Sequence, residues 1–255
     1  MAGQVDEIKK KMEEKYFDKD IVACYRTDLH NRLRPEAFLD LAQQLAVKGA
    51  QRLPFNDTAL MKHDCVWVLA RMKAVFEREV KFDSELGLST WHKGPDGLYF
   101  LRDYQLWDDK GIAVNSTSSW IVMNATTRRI SRDEKVMELL DIPAQCSEHA
   151  IEQPCPKIVF PKNAEAELLG VHKVRYSDID KNGHTNNVKY TVWALDNLPQ
   201  DLVLNHRLKE LSINFNKETL PGEEVALYHA EIDGAHIVEG RSQDHQVFIE
   251  KLIFE

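Results

Sequence analysis

Two stretches of this chain follow one plan, a short polar loop entering an amphipathic helix and then a train of alternating segments. In the first, Tyr25-Arg26-Thr27-Asp28-Leu29-His30 leads toward Pro35. From there Phe38, Leu41, Ala42, Leu45 and Ala46 fall at helical spacing, and Pro35 suits a first turn. In the second, Tyr176 to His184 leads into a helix with Val188, Val192, Leu195 and Leu198 on one face. Strand patterns then cover 65–76, 86–91, 99–107 and 116–123 in the first half, and 208–216, 224–232, 236–241 and 246–254 in the second. A duplicated unit of this kind must bury each helix against its own strands, which is an α+β plan.

The halves divide the chain. Residues 1–16 begin with the charged run Val5 to Glu14, expected to form a solvated helical arm and too acidic for a signal or transit peptide. The first unit is expected over 17–140, closing with a helical pattern from Arg132 to Leu140. Residues 141–167 carry Pro143, Pro154, Pro156 and Pro161 with little alternation, which reads as an interdomain connection. The second unit is expected over 168–255.

Only one copy carries a reactive constellation. Asp180, Asn182 and His184 occur at alternate positions, so an extended segment points all three to one side. The helix start at Asn186, Asn187 and Val188 offers backbone N–H groups for a developing negative charge. Asn186 or Thr185 also suits a helix cap, and Asp180 to Gly183 is equally good turn sequence. Aligning the helix starts at an offset of about 150 residues places His30, Arg32 and Arg34 opposite Asp180, Asn182 and His184. One half is therefore expected to catalyse while the other holds something. Asp178 is a reserve carboxylate on the same face as Asp180.

Composition narrows the partners. With 255 residues, 43% hydrophobic and 29% charged, the chain reads as a soluble globular protein. A net charge of −8 argues against nucleic acid, and no apolar run approaches a membrane span. Cys24, Cys65, Cys146 and Cys155 lack metal-ligand spacing, and a reducing cytoplasm is the expected home. No cysteine follows Cys155, so the second half has no thiolate of its own to offer.

The run from Tyr176 to Tyr190 resembles the signature of acyl-acyl carrier protein (acyl-ACP) thioesterases, plant chloroplast enzymes with bacterial relatives. Trp67-Val68-Leu69-Ala70-Arg71-Met72 and the run Trp120 to Arg129 match the same family in the same order. The resemblance covers roughly Phe17 to Phe254. It implies a tandem (double) hotdog, antiparallel sheets each wrapped around a long central helix. It also implies hydrolysis of a fatty acyl thioester on a carrier protein's phosphopantetheine, without metal or cofactor. The acyl tail is then expected in the first half, near Leu41, Leu45, Trp67, Leu69 and Met72. Since carrier proteins are acidic, a local basic patch is expected, with Arg128, Arg129 and Arg132 or Lys173 and Arg175 as candidates. The segment Asn214 to Thr219 adds Glu218, a rival to Asp180 as base, while Thr219 stands where the plant enzymes carry a cysteine. That departure favours attack by activated water. An acyl-CoA thioesterase on the same fold and a non-catalytic acyl-binding protein are the alternatives. Pairing into a homodimer is left open.

Overall fold

The structure, a computed structural model, describes residues 15–141, 143–161, 165–243 and 245–255. The expected helical arm lies almost wholly outside them. The first half runs β1 (Tyr16–Ile21), α1 (Pro35–Gln51), α2 (Asp57–Met61), β2 (Cys65–Phe76), β3 (Glu85–Asp96), β4 (Tyr99–Asp108), β5 (Gly111–Asn124) and α3 (Glu134–Leu140). The second runs β6 (Glu167–Lys173), α4 (Asn187–Asn197), α5 (Gln200–Asn205), β7 (Leu208–Phe215), β8 (Glu224–Ile232), β9 (Ala235–Ser242) and β10 (His245–Phe254).

The strands form one antiparallel sheet in the order β1-β3-β4-β5-β2-β7-β10-β9-β8-β6. Read from either edge inward, the order is the same in each half, so the duplication is written into the topology. The expected pair of sheets is fused edge to edge at β2 and β7, where Arg71 pairs with Asn214 and Val75 with Glu210. Lys73 and Glu210 add an ion pair of 3.2 Å across this seam. The alternating segments became strands at or near their expected bounds; β5 starts earlier, at Gly111, and β3 runs on to Asp96. The edge strands β1 and β6 were not foreseen.

Helix α1 buries Phe38, Leu41, Ala42, Leu45 and Ala46, the stripe its spacing dictates. It continues to Gln51 because Gly49 lets its last turn lie against the sheet. A Cβ there would fall 2.8 Å from Thr90 Cγ2 and 2.9 Å from Arg102 Nη1. Helix α4 is capped by Asn186, whose side chain accepts the Val188 N–H, and it buries Val188, Tyr190, Thr191, Trp193 and Ala194. Glu36 faces Asp196 and Asp40 faces Lys189, so the two helices run antiparallel. One core spans both halves, with Phe38, Leu45, Met72 and Leu106 joined to Tyr190, Trp193, Ile213 and Phe248. Each fully buried side chain of this kind contributes roughly 1.5–3 kcal/mol.

The proline-rich connection lies along the sheet face opposite the helices. Ala150 N–H donates to Asp103 Oδ2 (2.8 Å), and Trp91 Nε1 donates to Glu148 O (2.9 Å). Asn214 accepts the Ile158 N–H (2.8 Å) and donates to Pro156 O (3.0 Å). The segment is thus stitched to strands of both halves.

Glu250 on β10 is fully buried beneath α4, where Thr191 Oγ1 donates to its Oε1 at 2.8 Å. Burial pushes its carboxyl from 4.5 up to about 8. Between those values the folded protein holds a proton that the unfolded chain has lost, so stability falls as pH rises through this window. Denaturant midpoints measured from about pH 4.5 to about pH 8 are expected to decline in the native protein. Glu250→Gln, which keeps the Thr191 bond, is expected to flatten that slope.

Candidate active site

The two polar loops are the same structure. An isolated bridge between Thr27 and Leu33 closes the first, and one between Ile179 and Thr185 closes the second. In each, an aspartate carboxylate collects the backbone ahead of it. Asp28 Oδ1 accepts the N–H groups of His30 and Arg32, both at 2.8 Å. Asp180 Oδ1 accepts those of Asn182 (2.8 Å) and His184 (3.3 Å). The left-handed residue is Asn31 in the first loop and Gly183 in the second. This corrects the register read from sequence by two places. Asp28 stands opposite Asp180, His30 opposite Asn182, Arg32 opposite His184 and Arg34 opposite Asn186. The helix starts, Pro35 and Asn187, fix the correspondence. The first half has kept the acidic residue and replaced the amide and imidazole.

The connections that follow β2 and β7 are of equal length and place Glu79 opposite Glu218. In the first copy Arg32 reaches Glu79 at 3.4 Å. In the second, His184 Nε2 lies 3.5 Å from Glu218 Oε1, and the imidazole and carboxylate are each about one-third exposed. The structure therefore brings together Asp180, Asn182, His184 and Glu218, although Glu218 is distant in sequence. Both Asp180 oxygens are engaged, since Oδ2 accepts the Asn182 side-chain amide at 3.1 Å. Glu218 Oε2 is held by Arg128 Nη2 from the first half.

At the start of α4, the Asn186 N–H donates to Asp178 O and the Val188 N–H to Asn186 Oδ1. The Asn187 N–H has no acceptor among the described residues, which narrows three candidate anion donors to one. Asp178 is turned away from the site. Its carboxylate accepts the Arg175 N–H (2.8 Å) and Trp193 Nε1–H (3.3 Å) and lies 2.9 Å from His172 Nε2.

Thr219 is fully buried, in a hydroxyl cluster with Thr185 Oγ1 (2.7 Å) and Tyr190 OH (3.2 Å). Among the described residues no base contacts it. Tyr190 was missed from sequence because it lies off the face of Val188, Val192, Leu195 and Leu198 read for this helix, whereas the structure buries Tyr190, Thr191, Trp193 and Ala194 beside Val188. Burial pushes the Cys155 thiol up to about 11, and it donates to Thr117 O.

Of the tail-binding candidates, Leu41, Leu45 and Met72 join the main core. Trp67 packs on a second cluster with Phe55 and Phe100, and Leu69 is half-buried. Arg128, Arg129 and Arg132 are exposed. Arg128 has φ 57°, a left-handed backbone that costs a non-glycine residue about 1–3 kcal/mol. A cavity of about 350 Å³ opens on the first copy's loop, lined by Asp28, Arg32, Glu36, Leu195, Leu204 and Arg207 among others.

A tandem hotdog with this loop, helix end and acid–imidazole pair defines a class. The fold matches an acyl-ACP thioesterase from Bacteroides thetaiotaomicron (TM-score 0.80, 22% identical, 97% of this chain and 99% of that one). It also matches the 12:0-ACP thioesterase from Umbellularia californica (TM-score 0.79, 16% identical, 94% and 97%). Residues 11–139 match the family model of the acyl-ACP thioesterase N-terminal domain, and residues 162–251 that of the C-terminal domain. The chain belongs to the acyl-ACP thioesterase family. It is 27% identical over 227 residues to the chloroplastic oleoyl-acyl carrier protein thioesterase 2 of Arabidopsis thaliana, a match covering 80% of this chain. The chain spans about three fifths of the length of the curated plant relatives it matches (59%, 60% and 59%).

The shared loop architecture makes a prediction. Asp28→Ala and Asp180→Ala each remove the acceptor of two backbone N–H groups and are expected to destabilise by a similar amount, about 1–3 kcal/mol. Urea unfolding of the two variants checks this.

Proposed function

We propose that the chain hydrolyses the thioester of a fatty acyl-carrier protein to free fatty acid and carrier protein by attack of an activated water. The observation that carries this reading is the His184–Glu218 pair at the open end of α4, since the first copy has an arginine in the imidazole's place. Arginine stays protonated and does not exchange a proton at neutral pH.

The thioester oxygen lies against the Asn187 N–H, where the helix end favours negative charge. A water held by His184 and Glu218 attacks the carbonyl carbon, and Glu218 takes its proton. The tetrahedral intermediate collapses, the C–S bond breaks, and His184 relays the proton to the departing thiolate. Asn182, fixed by Asp180, orients the thioester. Asp180 is a positioning group, because both of its oxygens are engaged and Asp28 does the same work beside an arginine. Asn186 caps the helix and Val188 begins its buried face. The acyl tail runs into the first half along Leu41, Leu45, Trp67, Leu69 and Met72. Each buried CH₂ adds about 0.8 kcal/mol, so selection among neighbouring lengths is shallow unless a steric floor intervenes.

The carrier docks beside Arg129 and Arg132, a local basic surface on a chain of net charge −8, while Arg128 of the expected patch is engaged with Glu218. No helix among the described residues is long and apolar enough to cross a membrane, and the proposed setting is the cytoplasm.

The test is release of free thiol from carrier protein loaded with acyl groups of graded length, beside the matching acyl-CoAs. Faster turnover of the carrier-bound esters is expected. Equal or better turnover of CoA esters would keep the chemistry and remove the carrier. No release from either, with acyl groups retained, would leave a binding protein. Glu218→Gln is expected to lower kcat by roughly 10²–10⁴. A Glu218→Gln variant with near-native kcat would return the base to Asp180.

A further inference from the structure

We infer that Arg128 is a positioning residue for Glu218, so that the first half supplies part of the hydrolytic site itself. This rests on the reading of Glu218 as base. Arg128 reaches across from the first half and holds Glu218 Oε2, leaving Oε1 toward His184. A carboxylate at the tip of a connection, 38% exposed, has several rotamers open to it, and a guanidinium on one oxygen selects among them.

The backbone supplies an independent observation. The turn after β5 is tightly knit. Asn124 Oδ1 accepts the Thr127 N–H (2.7 Å), Arg128 N–H donates to Asn124 O (3.0 Å), and Asn124 N–H donates to Arg129 O (2.8 Å). Asp64 anchors it through Asn124 Nδ2 (3.1 Å) and the Ala125 N–H (2.8 Å). At its left-handed position stands Arg128. The other non-glycine residues in that conformation, among those described, are Asn31, Asp64, Asp83, Asp233 and Gln243. Asparagine and aspartate adopt it most readily, whereas arginine brings no such local advantage. The turn's own needs do not account for Arg128; the carboxylate it meets does. The two copies differ in the same sense. Glu79 is met by Lys81 of its own connection (2.6 Å), where the second copy has Leu220, and by Arg32 of its own loop (3.4 Å), in the position that His184 occupies opposite Glu218. Freeing that position for an imidazole leaves Glu218 without a cation from its own loop, and Arg128 replaces it from the other half.

Arg128→Asn separates the two demands, since asparagine suits the turn and lacks the guanidinium. The expected result is an unchanged or raised Tm together with a kcat lowered tenfold or more, little change in KM for acyl-carrier protein, and partial recovery with millimolar guanidinium. A lowered Tm that accounts for the lost activity would assign Arg128 to folding. A raised KM with native kcat would assign it to carrier docking alone. Either overturns the inference. Carbodiimide labelling of Glu218, read by peptide mass, gives an answer that needs no turnover. Faster labelling in Arg128→Asn is expected, and equal rates would overturn the inference. Inactivity of the native chain on every thioester would instead refute the hydrolase reading, and the labelling comparison would still stand.

Discussion

The pairing of β2 with β7 is the constraint on which the rest depends. Arg71 to Val75 opposite Glu210 to Asn214 makes ten strands continuous and closes one core around two antiparallel helices. Because the seam joins equivalent strands, it sets each half's helix start beside the other half's strands and turns. The loop of Asp180 and the turn of Arg128 meet for this reason. Helix–sheet packing within one half would leave each loop facing solvent alone.

Within that frame, the site is built from parts the duplication supplied twice. The aspartate-closed loop, the helix behind it and the glutamate after the next strand all recur. What distinguishes the two loops are the side chains ahead of the shared aspartate, His30 and Arg32 in one and Asn182 and His184 in the other. Arg32 on this scaffold pairs with Asp28 and Glu79, whereas His184 faces Glu218.

Much of this was legible in the sequence. Residues 65–76 and 224–232 are rich in strand-forming residues and became strands over those same bounds, and the stripe from Phe38 to Ala46 fixed the buried face of α1. The register between the copies was misread because identities around the loops are sparse. The sound signal was an aspartate followed three places later by a residue tolerant of a left-handed backbone, Asn31 or Gly183. Edge strands escaped notice because β1 alternates only weakly and carries Asp18, Lys19 and Asp20. Pairings such as Arg128 with Glu218 exist only after folding, and no local pattern announces them. Glu250 is similar, since an acid beside Lys251 in a strand reads as an outward position until its neighbours are known.

The connection stitched over the outer face ties Asp103 of one half and Asn214 of the other to a single ribbon of chain. In an assembly of two identical subunits every substitution arises twice, once on each side of the twofold axis. A covalent tandem is released from that symmetry. Arg32 can occupy the imidazole's place without abolishing the imidazole elsewhere, and Arg128 can serve the other half without a counterpart serving its own. The ribbon therefore does more than hold two units together, because it lets each half of a pseudo-dimer change without imposing the same change on the other.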